Sequence, residues 1–220
     1  MISAKYLFTG LLLTVCSMIS RAAPIRLSDT AEIIINISIS PSSFVHPSWL
    51  DIYKRKRTLK LVYTVQDSIR FRALRANKVD FITIKKYFEL TEPTKLQDSL
   101  NSYKRAEIFR KIDSLLKKYT VYIIDSVVLK TKSETEYIHL LEKVTKASQA
   151  ELENDNIHKT MFMLDGTGYN FVIKSGLKNT TVWVRAPSRE SNPLLYRLLD
   201  VTRRIYESQR PNSLLTKMRF

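Results

Sequence analysis

The sequence predicts an α+β fold, an antiparallel sheet packed with about three helices. Apolar and polar residues alternate in short runs near the N-terminus and again in the C-terminal third, the pattern of half-buried strands. Other segments carry apolar residues at helical spacing, and the two kinds do not alternate regularly, so a doubly wound parallel sheet is not expected. The chain of 220 residues is 44% hydrophobic, with 9 Phe, 11 Tyr and 2 Trp, which is too apolar and aromatic for a disordered chain.

Residues 1–22 are expected to be an export signal outside the fold. Lys5 precedes an apolar run from Leu7 to Ile19, shorter than the roughly 20 residues of a permanent spanning helix. Ser20-Arg21-Ala22 sets small side chains three and one residues before a cut between Ala22 and Ala23. The alternative is a lipoprotein anchored at Cys16, although Val15 stands where that motif wants a small residue. Residues 23–220 then form a single α+β domain, periplasmic or secreted, expected to be a monomer with no permanent membrane span. Cys16 is the one cysteine, so its removal excludes a disulfide, a thiol nucleophile and a cysteine-ligated metal. Losing Lys5 and Arg21 lowers the formal charge of +15 by two, and the chain stays strongly basic.

The elements follow in order. Ile33, Ile35, Ile37 and Ile39 alternate with Ile34, Asn36, Ser38 and Ser40, a strand with one buried face. A loop from Pro41 to Pro47 follows, and Trp49 to Tyr53 reads as a short turn before Lys54-Arg55-Lys56-Arg57. Leu59, Leu61, Tyr63 and Val65 alternate with Lys60, Val62, Thr64 and Gln66, and Ile69, Phe71 and Ala73 alternate with Arg70, Arg72 and Leu74. With Phe81 to Phe88 these runs predict an antiparallel meander over 59–88. The rival over 68–76 is a helix, because Ala73, Leu74 and Ala76 favour one. From Leu96 to Tyr119 the apolar stripe changes direction, which predicts a helix over 104–118 preceded by a bend. Val121 to Lys130 reads as a strand. Ser133 is placed to open a helix with Glu136 in a capping box and with Tyr137, Leu140, Leu141 and Val144 inward. Met161 to Leu164, Tyr169 to Lys174 and Thr181 to Arg185 read as strands joined at Gly166, Gly168 and Gly176. Ser191 or Asn192 caps a last helix with Pro193 in its first turn and Leu194, Leu195, Leu198, Val201, Thr202 and Ile205 as its stripe.

Leu164-Asp165-Gly166, the hairpin, Val182 to Pro187 and Asn192-Pro193-Leu194-Leu195 resemble the C-terminal quarter of small exported bacterial proteins, a domain of unknown function. The resemblance implies an envelope address and assigns no site residues.

The phosphate-binding, dinucleotide-binding, zinc-protease and serine-hydrolase signatures are all missing from the sequence, and no cofactor or metal is expected. Asp165-Gly166-Thr167-Gly168 reads as a turn rather than a calcium loop. Glu136 and His139 could converge on a metal, but a carboxylate-bridged centre needs a second such pair. The strongest feature is charge. Residues 54–86 hold eleven Lys/Arg and two acids, Asp67 and Asp80. On a meander, Lys60, Arg70 and Arg72 would leave one sheet face with Lys54, Arg55, Lys56 and Arg57 at its edge, making an anion-binding surface. The alternative use of those cations is solvation and protection of strand edges. The expected function is therefore non-catalytic binding of an anionic lipid, a glycan or a protein partner in the envelope, with nucleic acid not favoured. The alternative is a small ribonuclease-like hydrolase using His46 or His158.

Overall fold

A computed structural model describes residues 31–40, 47–90, 102–153 and 167–211. The expected signal with Ala22, Ala23 and Cys16 lies outside the described residues, as do His46, His158 and the strand expected over Met161–Leu164. The fold is α+β. In chain order it runs β1 (Ile33–Ser40), β2 (Ser48–Lys54), β3 (Thr58–Ile69), α1 (Phe71–Ala76), α2 (Lys78–Leu90), α3 (Ser102–Lys117), β4 (Thr120–Lys130), a 3₁₀ turn (Thr131–Ser133), α4 (Thr135–Lys146), α5 (Gln149–Glu153), β5 (Gly168–Ser175), β6 (Lys178–Arg185) and α6 (Pro193–Gln209). The strands form one six-stranded antiparallel sheet in the order β4-β3-β2-β1-β5-β6.

The described residues gather into two compact units, a larger one up to Val65 and from Ile124 onward, and a smaller one from Gln66 to Ile123. In the larger unit the alternation of β1 is realised residue by residue, with Ile33, Ile35, Ile37 and Ile39 buried. Ile35 pairs with Ile52 and Ile173, and Ile37 with Leu50 and Phe171, so one sheet face is continuous hydrocarbon. Helices α4 and α6 cover it, α4 through Tyr137, Leu140, Leu141 and Val144, and α6 through Leu195, Leu198, Leu199 and Ile205. Their hydroxyls are accounted for. Thr202 Oγ1 donates to Leu198 O at 2.6 Å, so Tyr137 OH donates to Thr202 Oγ1 at 2.6 Å, and Tyr206 OH donates to Leu61 O at 3.0 Å. Strands β5 and β6 turn through Gly176 and Leu177, with Gly176 at φ +57° in the first loop position, where glycine carries no side-chain penalty. Lys178 begins β6 and donates to Thr145 O, Lys146 O and Ala147 O at 2.9, 3.2 and 2.8 Å. It closes the C-terminal end of α4, where carbonyls lack helical partners and a cation is favoured.

Several expectations are corrected. Trp49 to Tyr53 is not a turn but the body of β2. Both its faces are covered, with Leu50 and Ile52 fully buried and Trp49 and Tyr53 nearly so, and a strand buried on both sides shows no alternation. The meander over 59–88 stops at Ile69. Arg70 N bonds to Tyr119 O at 2.8 Å, and the next bonds, Leu74 N to Arg70 O at 3.0 Å and Phe81 N to Asn77 O at 3.0 Å, are helical. The segment that looked like alternating strands is α1 and α2. Ser133 does not cap α4 but bonds back to Lys130 O, and Glu134 stands at the cap without a side-chain bond. A reciprocal capping box forms further on, where Ser148 N donates to Glu151 Oε2 at 2.6 Å and Glu151 N to Ser148 Oγ at 3.2 Å. Asn192 precedes Pro193 as expected, but its side chain donates to Leu152 O and Glu153 O instead of capping α6.

The smaller unit has its own core. Leu74, Ile84, Ile112 and Leu116 are buried, with Ile69, Phe81, Tyr87, Ile108, Leu115 and Tyr119 packed partly against them. The helix expected over 104–118 is α3, and it carries two i,i+4 pairs, Glu107–Lys111 at 2.7 Å on an exposed side and Asp113–Lys117 at 2.9 Å with the Asp113 side chain only 14% exposed.

Candidate anion-binding surface

The seven cations singled out from the sequence do not share one sheet face. Lys54, Arg55, Lys56, Arg57 and Lys60 belong to the larger unit, Arg70 and Arg72 to the smaller. In the larger unit, Arg55, Lys56 and Arg57 are the loop joining β2 to β3, closed by Arg55 N to Thr58 O at 2.8 Å. Thr131 holds this loop from the end of β4, its N–H on Arg57 O at 3.2 Å and its hydroxyl on Lys56 O at 3.1 Å. Lys56 and Arg57 are exposed. Lys54 is neutralised by Glu32 at 2.8 Å, its side chain only 14% exposed. Lys60 lies on β3 opposite Tyr53, on the sheet face turned away from the helices. Near Lys54, a surface cleft of about 460 Å³ is lined by Glu32, Glu142, Lys146 and Lys178. With Lys54 itself in the lining, its three lysines outnumber the two glutamates by one.

The smaller unit concentrates cations differently. Arg70 stands at the N-terminal cap of α1, Arg72 and Arg75 lie along it, and Lys78, Lys85 and Lys86 lie on α2, all exposed. Of the described acids nearby, only Glu89 pairs with one of them, Lys85. Asp80 faces α3 and the residues after it, accepting from Tyr119 OH at 2.8 Å and from Lys118 Nζ at 3.4 Å. The Tyr119 hydrogen bond, followed by Lys118, holds the Asp80 carboxyl below the usual carboxylate range. Asp67 accepts from the neighbouring Ser68 hydroxyl at 3.1 Å, and Glu89 lies 3.8 Å from Lys85. Arg70, Arg72, Arg75, Lys78 and Lys86 make no ion pair among the described residues.

Apolar side chains stand among these cations. Val79 is 73% exposed, Ile82 63% and Phe71 42%. On α2, Val79, Ile82 and Lys86 fall at i, i+3 and i+7, one outward stripe, while Phe81, Ile84 and Tyr87 face the core. Charge alone points to Arg70 and Arg72 and not to this stripe. The signal was present in the spacing of Val79, Ile82 and Lys86, and it is readable only once residues 78–90 are taken as a helix.

The other sequence candidates are placed as follows. His139 is exposed and lies 4.0 Å from Glu142, whereas Glu136 pairs with Arg197 at 2.7 Å. The two do not converge, and among the described residues no group of three or more His, Cys, Asp or Glu is positioned to hold a metal. Among the described residues no helix is long and apolar enough to cross a membrane. No protein-family model, curated protein or solved structure matches the chain.

Proposed function

We propose that the protein is an exported, non-catalytic binding protein, and that the outward surface of α1 and α2 holds an anionic component of the cell envelope. The observation that carries this reading is the set of five cations, Arg70, Arg72, Arg75, Lys78 and Lys86, left without ion pairs among the described residues while Asp80 is engaged inward. Like charges clustered on a small unit repel one another, and an anionic ligand relieves that repulsion while releasing its own counterions. Attraction of this kind is long-ranged and salt-sensitive, and it selects charge density over chemical detail. Lys56 and Arg57 supply a second, smaller positive point in the larger unit.

Retention of the full chain on immobilised heparin across a salt gradient tests the reading. Arg72→Glu/Arg75→Glu should elute at distinctly lower salt than the parent. Lys132→Glu/Lys174→Glu, which reverses two exposed cations of the larger unit, should elute close to the parent after allowance for net charge. Equal elution of the two double variants would sink the assignment to α1 and α2.

A further inference from the structure

We infer that the anionic component is a lipid bilayer surface, on which α2 lies with Val79 and Ile82 at the boundary between headgroups and acyl chains and its cations among the headgroups. The inference rests on the anion-binding reading above and names its ligand. A purely electrostatic site for a soluble polyanion has no use for aliphatic side chains at its centre, yet among the described residues Val79 and Ile82 are the two most exposed large apolar residues of the smaller unit. They are also not leftovers of a weak core, because Ile84 on the opposite side of the same helix is 1% exposed. Helix α2 therefore presents hydrocarbon on both sides, and among the described residues only one side is covered.

The outward side has the order of an interfacial helix. Helical geometry puts Lys78 and Lys85 on one flank of the Val79–Ile82 pair and Lys86 in line with it, about a turn further on. Long lysine and arginine stems reach up from an apolar boundary while their charges stay in the headgroup layer. On the neighbouring α1, Phe71 is partly exposed beside Arg72 and Arg75, extending the same mixture. Acidic headgroups satisfy the cations and the acyl boundary satisfies the aliphatics, whereas an acidic glycan satisfies only the first. Each cation near an anionic bilayer is worth about fivefold in partitioning, so several of them with two inserted aliphatics give reversible, peripheral attachment.

The test uses the full chain and vesicles made from equal parts phosphatidylcholine and phosphatidylglycerol, with pure phosphatidylcholine vesicles as the uncharged comparison. An environment-sensitive dye is placed on Cys16→Ser/Ile82→Cys, and for reference on Cys16→Ser/Lys174→Cys in the larger unit. On the anionic vesicles, the dye at position 82 should shift to the blue and be quenched by nitroxide-labelled lipid, and the dye at 174 should do neither. A separate Val79→Ser/Ile82→Ser variant should partition at least about tenfold more weakly while keeping its elution from heparin. Because the substituted side chains are exposed, an unchanged thermal midpoint shows that folding is not the cause. If heparin retention still depends on Arg72 and Arg75 but the dye at 82 stays in water, the bilayer is overturned and a soluble acidic partner takes its place. If heparin retention is independent of Arg72 and Arg75, the anion-binding reading itself has failed.

Discussion

Thr202 gives its hydrogen to Leu198 O, and its oxygen then receives the hydrogen of Tyr137. The direction of that chain decides what each substitution costs. Tyr137→Phe removes a donor and leaves a threonine that is still bonded, so denaturant titration should show a loss of about 1 kcal/mol. Thr202→Ala orphans the buried Tyr137 hydroxyl and should cost more, about 2 kcal/mol. Burial also sets how the tyrosines ionise. Burial pushes Tyr63 and Tyr169 up to about 12 from an ordinary 10.0, and burial followed by the Asp51 charge does the same to Tyr53. Tyr137 and Tyr206 are raised further, again mainly by burial. The folded state therefore holds these protons more tightly than the unfolded chain. Their contribution to stability is complete below pH 10 and is lost as pH rises from 10 toward 12 and beyond. Absorbance of phenolate against pH should show the buried class ionising together with unfolding rather than before it. At this scale the sequence was most informative where one face is buried. Ile33, Ile35, Ile37 and Ile39 announced their burial by spacing alone, but nothing local announced that Asp80 would turn to Tyr119, a partner 39 positions away.

Among the elements, α4 is finished by a residue from another strand. Lys178→Met keeps the aliphatic stem and removes the three bonds to Thr145 O, Lys146 O and Ala147 O, and it should cost about 1 kcal/mol. Exchange of the amides in the last turn of α4 should accelerate in that variant while those of β1 stay protected. The strands β1 and β6 and the helices α3, α4 and α6 were legible in outline, because each has one wet and one dry side, whereas β5, with Val172 buried on its other face, was legible from the glycines that bracket it. Two kinds of element were not. Strand β2 is dry on both sides, so its pattern dissolved into a run that looked like a turn. Helix α2 has apolar residues on both sides, so Phe81, Thr83 and Lys85 could be read as one face of a strand and Ile82, Ile84 and Lys86 as the other. The candidate surface was hidden by that second ambiguity, since Arg70 and Arg72 were assigned to a sheet and Val79 and Ile82 to no face at all.

For the molecule as a whole, the two buried clusters have no residue in common. Leu74, Ile84, Ile112 and Leu116 are a far smaller set than the cluster organised around β1, and free energy of local opening follows the apolar area that holds a region shut. Amide exchange in native buffer should therefore release the amides of α1 to α3 well before those of β1, β2 and β5. Ile37→Ala, at a position with no exposure, should cost about 2 to 5 kcal/mol and move the slow class, while Ile112→Ala should accelerate chiefly the fast one. Uniform exchange across both groups would contradict this ordering. One bond bears on how such a chain could be assembled. Because Arg70 N reaches Tyr119 O, the backbone leaves β3 and returns to β4 a single strand spacing apart, about 5 Å. Topologically, residues 71–118 occupy the place of a hairpin's turn, so an Asn-Gly pair could replace them, and the excised stretch could be grafted into the tip of an unrelated ribbon as a portable cassette.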